Sequence, residues 1–400
     1  MVDKLDFSVF DSDNHLYETT DAFLAHLPKQ YKGAIRYVEV DGRTKIAIKN
    51  VISDYIPNPT FEVVARPGAF RDYVTGENPD GRTLREITGK PMRSIPAFRE
   101  PEARLEVLDE FGIDGTLLFP TLASVLEVNL MDDPALALAA IHSFNQWLHE
   151  QWSFDYKGRI FATPVINLST CEGAIAELDW VLAHGAKVIL VRPAAVGGYQ
   201  GPRSPFLAEF DPFWARVQEA GILVTLHLSD SGYTRFANEW DGAATGEWRP
   251  FAPSAFQTLS VGHRPIMDAM FSIVAHGMLS RFPRLKVASV ENGSDWVPRV
   301  LEDFKMTYGK MPQEFAEDPV EVFQRQIWVN PFWEDPIDEL VELLGADKIL
   351  FGSDWPHGEC LDDPLSWVDY CAKFGIAPAD VQKMMGDNLT QLMGVTPAAA

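Results

Sequence analysis

Three positions along the chain place a histidine or a carboxylate where a short apolar run ends. Asp13-Asn14-His15 closes the first run, Thr225-Leu226-His227 closes another, and Phe351-Gly352-Ser353-Asp354 closes a third, with Trp355-Pro356-His357 directly behind it. Side chains alternate with a period of two along a strand, so Asp11, Asp13 and His15 are expected on one face. An Asp-x-His pair at a strand tip offers one oxygen and one nitrogen to a single cation. Alone it is a weak signal; with His227 and Asp354 at two further tips it becomes a joint signal for a divalent metal. The alternative is an ordinary set of polar strand ends. His26, His142, His149, His184 and His276 fall inside helical patterns and are read as packing or surface residues, while His263 lies in a long loop and carries no assignment.

Positioning such a set requires several parallel strands with their tips at one end. Eight apolar runs qualify: 7–13, 115–120, 160–166, 187–192, 222–228, 285–291, 326–330 and 348–354. Most are near-continuous runs of β-branched and aromatic residues, as expected of strands covered on both faces. Amphipathic patterns lie between them over 133–152, 171–184, 212–220, 265–282 and 336–344, with Pro at several starts and Gly185 and Gly345 at two ends. Repeated strand and helix alternation predicts an α/β fold, a (β/α)8 TIM-like barrel. An open doubly wound sheet is the runner-up, weakened because no Gly-x-Gly-x-x-Gly follows the first run. The 400 residues are read as a single domain with two insertions at the catalytic end. A cap over 31–100 follows the first strand and contains a hairpin over 37–50 turning at Asp41-Gly42. A lid over 229–261 follows the fifth. Surface decoration is the alternative for both, and the Pro-Ala-Ala-Ala end is read as a frayed tail.

A net charge of −23 argues against a nucleic-acid partner or an anionic membrane surface and suits a site that collects a cation. The apolar share of 46 % supports a large core. Cys171, Cys360 and Cys371 are scattered and form no Cys-x-x-Cys pair. The first residues lack a basic stretch followed by a long apolar one, and no run has membrane-spanning length, so a cytoplasmic enzyme is the expectation. A homo-oligomer is compatible with such a barrel.

The order of these motifs resembles the amidohydrolase superfamily, and within it the amidohydrolase-2 branch that includes aminocarboxymuconate-semialdehyde decarboxylase. Supporting segments are Leu279-Ser280-Arg281-Phe282-Pro283-Arg284-Leu285-Lys286, Leu350 to Asp354, and Gly386-Asp387-Asn388-Leu389. The resemblance implies that Asp13, His15 and His227 bind a divalent metal, and that Asp354 binds it or takes a proton from its water. Two departures stand out. The family's first position is usually His, where this chain has Asp13; the added carboxylate makes the site harder, suited to manganese or iron as well as zinc. The decarboxylases usually carry a catalytic His after strand six, where this chain has Val290-Glu291-Asn292-Gly293. Glu291 is thus a candidate acid/base, a bridge between two metals, or a partner that orients a ligand histidine.

Arg192, at the tip of the fourth run, is a candidate for holding an anionic group of a substrate, or alternatively for a salt bridge to a barrel carboxylate. Glu18 is read as a helix-start carboxylate, with metal ligation as the alternative. His357 is placed near the substrate or leaving group. Trp355, with Trp240, Trp248, Phe251 and Phe332, suggests an apolar pocket for a small-molecule substrate. The functional expectation is a hydrolase: a metal-activated water attacks an ester, lactone, amide or thioester, with Asp354 or Glu291 accepting its proton and Arg192 or His357 steadying the oxyanion. Decarboxylation or hydration of an aromatic or enol acid in the same site is the alternative. A catalytically inactive ligand-binding barrel is the third reading. One metal ion or two are both compatible with the residues.

Overall fold

The computed structural model describes residues 5–242 and 254–396, the side chain of Ser124 excepted. Its framework is α/β, built of parallel strands in two sets. In the first, Gly115–Pro120 lies at the centre, paired with Phe10–Asp11, His15–Leu16 and Ile160–Ala162. In the second, Val188–Val191, Leu223–His227, Lys286–Val290 and Ile327–Val329 pair in that order. Single parallel bridges join Val165 to Leu190, Val329 to Ile349, and Asn14 to Trp355. The strands are buried along almost their whole length, which explains their unalternating apolar sequences. Seven of the eight expected runs contain strand, with bounds that coincide or differ by up to four residues. The run at 348–354 forms no regular strand: 346–348 is a 3-10 turn, and the segment beyond it is tied by the Ile349 bridge and by Ser12 N–H donating to Phe351 O at 2.8 Å.

The first run is interrupted, and this corrects the expectation that Asp11, Asp13 and His15 share a face. Phe10 and Asp11 pair with Gly115 and Thr116, whereas His15 and Leu16 pair with Phe119 and Pro120. Three residues, 12–14, therefore stand against two, 117–118, which is the count of a β-bulge. The extra residue flips the alternation. Asp11 turns into a buried network, accepting from Asp13 N–H, Ser353 N–H, Ser353 Oγ–H and Asn14 Nδ2.

Helices cover the strands where the amphipathic patterns fall. Pro134–Trp152 is capped by the Asp133 carboxylate accepting from Leu136 N–H at 3.1 Å, and Cys171–Ala183 is capped by Thr170. Asp211–Ala220 and Ile337–Leu344 also lie as expected. The 265–282 pattern is two helices, Arg264–Ala275 and Met278–Arg281, because Gly277 adopts the left-handed region between them. Helices Pro101–Phe111, Val297–Lys310 and Pro319–Gln326 add to the expected set.

Between residues 31 and 100 the chain forms a three-stranded antiparallel sheet, Ile35–Val40, Arg43–Ile48 and Val51–Ser53, and a short pair, Val63–Val64 with Met92–Arg93. The hairpin turns at Asp41-Gly42, both with positive φ. This segment reaches the Trp355–Asp362 loop: Gly68 and Phe70 N–H donate to His357 O and Gly358 O, and Arg71 pairs with Asp362 at 2.7 Å. After His227, helices Thr234–Asp241 and Ala255–Ser260 flank residues 243–253. Trp248, Phe251 and the Pro-Ala-Ala-Ala end lie outside the described residues. No described helix is long and apolar enough to cross a membrane.

Candidate metal centre

Six residues from four chain segments converge. The ligand atoms of Asp13, His15, His227 and Glu291 all lie within 4.8 Å of one another, and so do those of His15, Glu291, Asp354 and His357. His227 Nε2 is 3.1 Å from Glu291 Oε2 and 3.4 Å from Asp13 Oδ1. His15 Nε2 is 3.2 Å from Glu291 Oε2, 3.5 Å from Asp13 Oδ1 and 3.6 Å from Asp354 Oδ1. His357 Nδ1 is 2.7 Å from Asp354 Oδ1, but without hydrogen-bond alignment, so both Asp354 oxygens are left without a hydrogen bond.

The backbone is built to bring these groups together. Glu291, one residue past the Lys286–Val290 strand, and Asp354, one residue before the Asn14–Trp355 bridge, take left-handed φ values of 55° and 61°. For non-glycine residues such conformations cost about 1–3 kcal/mol and persist where surrounding structure imposes them. Asn330 Oδ1 accepts from Glu291 N–H at 3.2 Å, and Asp13 O accepts from Asp354 N–H at 2.8 Å. Two glycines allow the close approach. A Cβ on Gly352 would stand 2.6 Å from both Asp13 Cβ and Asn330 Nδ2, and one on Gly293 would meet the Phe332 ring at 2.7 Å. Beneath the centre, the buried Arg104 donates to His15 O, Asn14 Oδ1 and Ala97 O. Its guanidinium lies 4.5 Å from the Trp355 ring centroid.

The electrostatics of the cluster call for positive charge at its centre. His227 Nδ1 stands 2.8 Å from Leu228 O. A carbonyl only accepts, so Nδ1 carries a hydrogen, and a neutral ring then points the Nε2 lone pair at two carboxylates. His15 Nε2 is buried with no hydrogen-bond partner and faces three carboxylates. Electron pairs held this close require positive charge between them, supplied by a proton or a cation. Burial raises the Glu291 pKa to about 7, with the charge of Asp13 adding to it. Burial, then Glu291, Glu359 and Asp13, push Asp354 well above the carboxylate range. Burial also raises Asp13, but His15 and His227 outweigh it and hold that carboxyl low. Burial lowers His15 to about 4, whereas at His227 the facing Glu291 and Asp13 overcome burial and raise the pKa. Burial and the His15 charge lower His357 to about 3. Two imidazoles and several carboxylates form a donor set that fits a divalent zinc, manganese or iron ion.

Arg192 and Trp355 do not join the cluster's contacts. Arg192 donates to Asp230 O at 3.1 Å and Ala195 O at 2.7 Å, with Glu127 Oε2 3.9 Å from its Nε. Trp355 is buried against Arg104, Phe98 and Phe111. Trp240 is 83 % exposed, in a surface groove with Phe236 and Phe256, while Phe332 packs on Gly293. Glu18 is neither a ligand nor a cap of its own helix; it accepts from Leu122 and Ala123 N–H. Sequence reasoning also passed over Thr121, whose hydroxyl reaches two histidines of the centre. Its position immediately after the Gly115–Pro120 strand is the signal that would have found it.

The amidohydrolase family model matches residues 87–394. An amidohydrolase from Mycobacterium avium subsp. paratuberculosis K-10 is 40 % identical, over 98 % of this chain and 99 % of that one, with a TM-score of 0.92. The gamma-resorcylate decarboxylase of Polaromonas sp. (strain JS666) is 25 % identical over 331 residues, 78 % of this chain and 94 % of that protein. A dihydroxybenzoic acid decarboxylase from Polaromonas sp. JS666, solved with bound manganese and 2-nitroresorcinol, superposes with a TM-score of 0.62 at 17 % identity, over 97 % of each chain. With its family model spanning most of the sequence and a fold shared almost end to end with a 40 % identical relative, this chain belongs to the amidohydrolase family, in its amidohydrolase-2 branch.

Proposed function

We propose that the chain is a metal-dependent lyase that removes carbon dioxide from a small aromatic or enolic carboxylic acid, in a (β/α)8 barrel capped by residues 31–100 and by a lid over 229–261. The observation that carries this reading is the buried Nε2 of His15, without a hydrogen-bond partner, facing Asp13, Glu291 and Asp354, with His227 facing Asp13 and Glu291. The decarboxylase relatives supply the reaction class.

Asp13, His15, His227 and Glu291 would hold the ion. His15 has a single Nε2 lone pair, so the two overlapping residue groups cannot both be filled through it; one ion is favoured, and only Glu291 has oxygens to bridge to a second. A divalent ion held there would supply Lewis-acid chemistry toward an anionic substrate. Asp354 carries the proton. It passes that proton to the carbon bearing the carboxylate; the bond from that carbon to CO2 breaks, its electron pair accepts the proton, and CO2 leaves. His357, 2.7 Å from Asp354, returns a proton to it from solvent. We assign Arg192, whose Nε makes no hydrogen bond and lies 3.9 Å from Glu127 Oε2, to the substrate side of the pocket, and Trp355 to packing.

Hydrolysis is the second reading, and one observation favours it: a carboxylate, Glu291, stands within 3.2 Å of both histidines where the family's decarboxylases have His. There Glu291 takes the proton of a water attacking an ester or lactone carbonyl. Manganese-loaded protein offered carboxyl-labelled hydroxybenzoates in D2O should release labelled CO2 and leave deuterium on the vacated carbon. Cleavage of esters or lactones, with no CO2 from any acid, would overturn the lyase reading in favour of the hydrolase.

A further inference from the structure

Thr121 follows the Gly115–Pro120 strand, and its hydroxyl stands between two histidines of the centre. Oγ1 lies 2.8 Å from Leu16 O, 3.2 Å from His357 Nε2 and 3.4 Å from His15 Nδ1. A threonine hydroxyl has one hydrogen and two lone pairs. Leu16 O has no hydrogen to give, so at 2.8 Å it takes the hydroxyl's own. Thr121 then presents only lone pairs to the imidazoles, and each ring must turn an N–H toward it.

The two rings are affected differently. Hydrogen on Nδ1 of His15 frees Nε2, the atom facing Asp13, Glu291 and Asp354, as an electron-pair donor. Hydrogen on Nε2 of His357 turns Nδ1 toward Asp354. The two rings are in contact, tilted, with centroids 4.0 Å apart and planes at 34°. The hydroxyl is held in place, because Glu18 anchors the following two backbone N–H groups. The same alcohol therefore serves a metal ligand on one side and the proton carrier's partner on the other.

We infer that Thr121 is a positioning residue: its hydroxyl, oriented by the Leu16 carbonyl, fixes the tautomer of His15 for metal ligation and that of His357 toward Asp354. The inference rests on the metal reading above and adds to it a residue that touches neither metal nor substrate. Partners that orient ligand histidines typically account for about 10- to 100-fold in metal affinity. Without the hydroxyl, His15 can shift its hydrogen to Nε2 and lose its donor pair.

The test is Mn2+ binding by equilibrium dialysis to the chelator-stripped full chain, in wild type, Thr121→Val and Thr121→Ser. The valine variant, nearly isosteric, is expected to bind about 10- to 100-fold more weakly, and the serine variant to keep wild-type affinity. Equal affinity in wild type and the valine variant overturns the inference and leaves the metal reading standing; no Mn2+ bound by wild type overturns both. A second measurement needs no variant. Long-range 15N–1H correlation of histidine-labelled, Zn2+-loaded wild type should show hydrogen on Nδ1 of His15 and on Nε2 of His357. Hydrogen on Nε2 of His15 overturns the inference even if Thr121→Val does not fold.

Discussion

Glu18 Oε1 accepts the backbone N–H of Leu122 at 2.7 Å, and that of Ala123 at 2.9 Å, so a carboxylate three residues beyond His15 holds the turn that carries Thr121. Burial raises the Glu18 pKa from 4.5 to about 7, against the lowering effect of these N–H groups. The folded protein thus keeps a proton that the unfolded chain releases. The stability linked to Glu18 is full below about pH 4.5 and is lost as pH rises toward 7, by on the order of 3 kcal/mol. Glu18→Gln cannot titrate. Urea denaturation at pH 5 and pH 8 should show a larger drop for wild type than for Glu18→Gln; equal drops would mean that this carboxyl titrates normally in the fold.

Metal removal should be visible in stability as well as activity. A ligand that binds only the folded state contributes about 4 kcal/mol at a thousandfold excess over its Kd. Addition of EDTA should lower the unfolding midpoint, and Mn2+ or Zn2+ should restore it. Because His15 and His227 bind a metal only when their Nε2 atoms are unprotonated, this restoration should weaken as pH falls through the His227 pKa, which lies above the ordinary 6.5. A midpoint indifferent to EDTA and to added metal in chelator-stripped protein would contradict the centre.

Asp354 sets activity against stability. It is a buried carboxyl in a left-handed backbone conformation, with neither oxygen hydrogen-bonded. Asparagine tolerates that conformation and is neutral without taking up the proton that burial imposes on Asp354. Asp354→Asn should raise the stability of the metal-free protein by about 1 kcal/mol while reducing turnover by roughly 100- to 10,000-fold. Calorimetry of stripped protein and single-turnover CO2 release read the two effects separately; full turnover in a metal-replete variant would remove Asp354 from the proton-transfer role.

The strand tips were legible because a strand ending in Asp-x-His, His or Asp leaves few places for those side chains to go. Asp13, His15, His227, Glu291, Asp354 and His357 lie together in two overlapping groups. What failed was local register. A three-against-two bulge at residues 12–14 sends Asp11 to Ser353, and it is specified by pairing with a strand over a hundred residues away, not by the hexapeptide itself. Arg104 and Asn330 escaped for a related reason. Each supports the centre from a distant element, through backbone or amide contacts that leave no periodic trace in the sequence. Glu18 was read through its sequence neighbours, whereas its partners lie 104 and 105 residues on.

Arg104 is expected to stabilise the fold through the centre's floor. Its three donor groups satisfy Ala97 O, Asn14 Oδ1 and His15 O inside the protein. Arg104→Met keeps much of the side-chain volume but leaves those acceptors buried and unpaired, at about 1–3 kcal/mol for each group left unsatisfied. A loss of several kcal/mol in denaturant unfolding is expected, together with weaker metal binding because His15 loses its backbone tether. Unchanged stability would mean that the arginine's desolvation cancels its hydrogen bonds.

Gly352 tests whether the spacing between the last strand-end segment and Asp13 matters to the metal. A Cβ there would lie 2.6 Å from Asp13 Cβ and 2.6 Å from Asn330 Nδ2, distances at which something must move. Both neighbours are buried, and Asn330 also supports Glu291 through its backbone N–H. Gly352→Ala should therefore destabilise by about 1–3 kcal/mol from overpacking. It should also weaken Mn2+ binding without altering any ligand, because the shift falls on Asp13 and, through Asn330, on Glu291. The control is Gly309→Ala, in the helix Val297–Lys310, where an added Cβ meets nothing within 4 Å. That change should stabilise by about 0.4–1 kcal/mol, since alanine loses less chain entropy on folding. If Gly352→Ala lowers stability yet leaves metal affinity at the wild-type value, Asp13 is not held by this contact, and its position must be fixed instead by the hydrogen bonds that Asp11 and Asp354 make to its backbone.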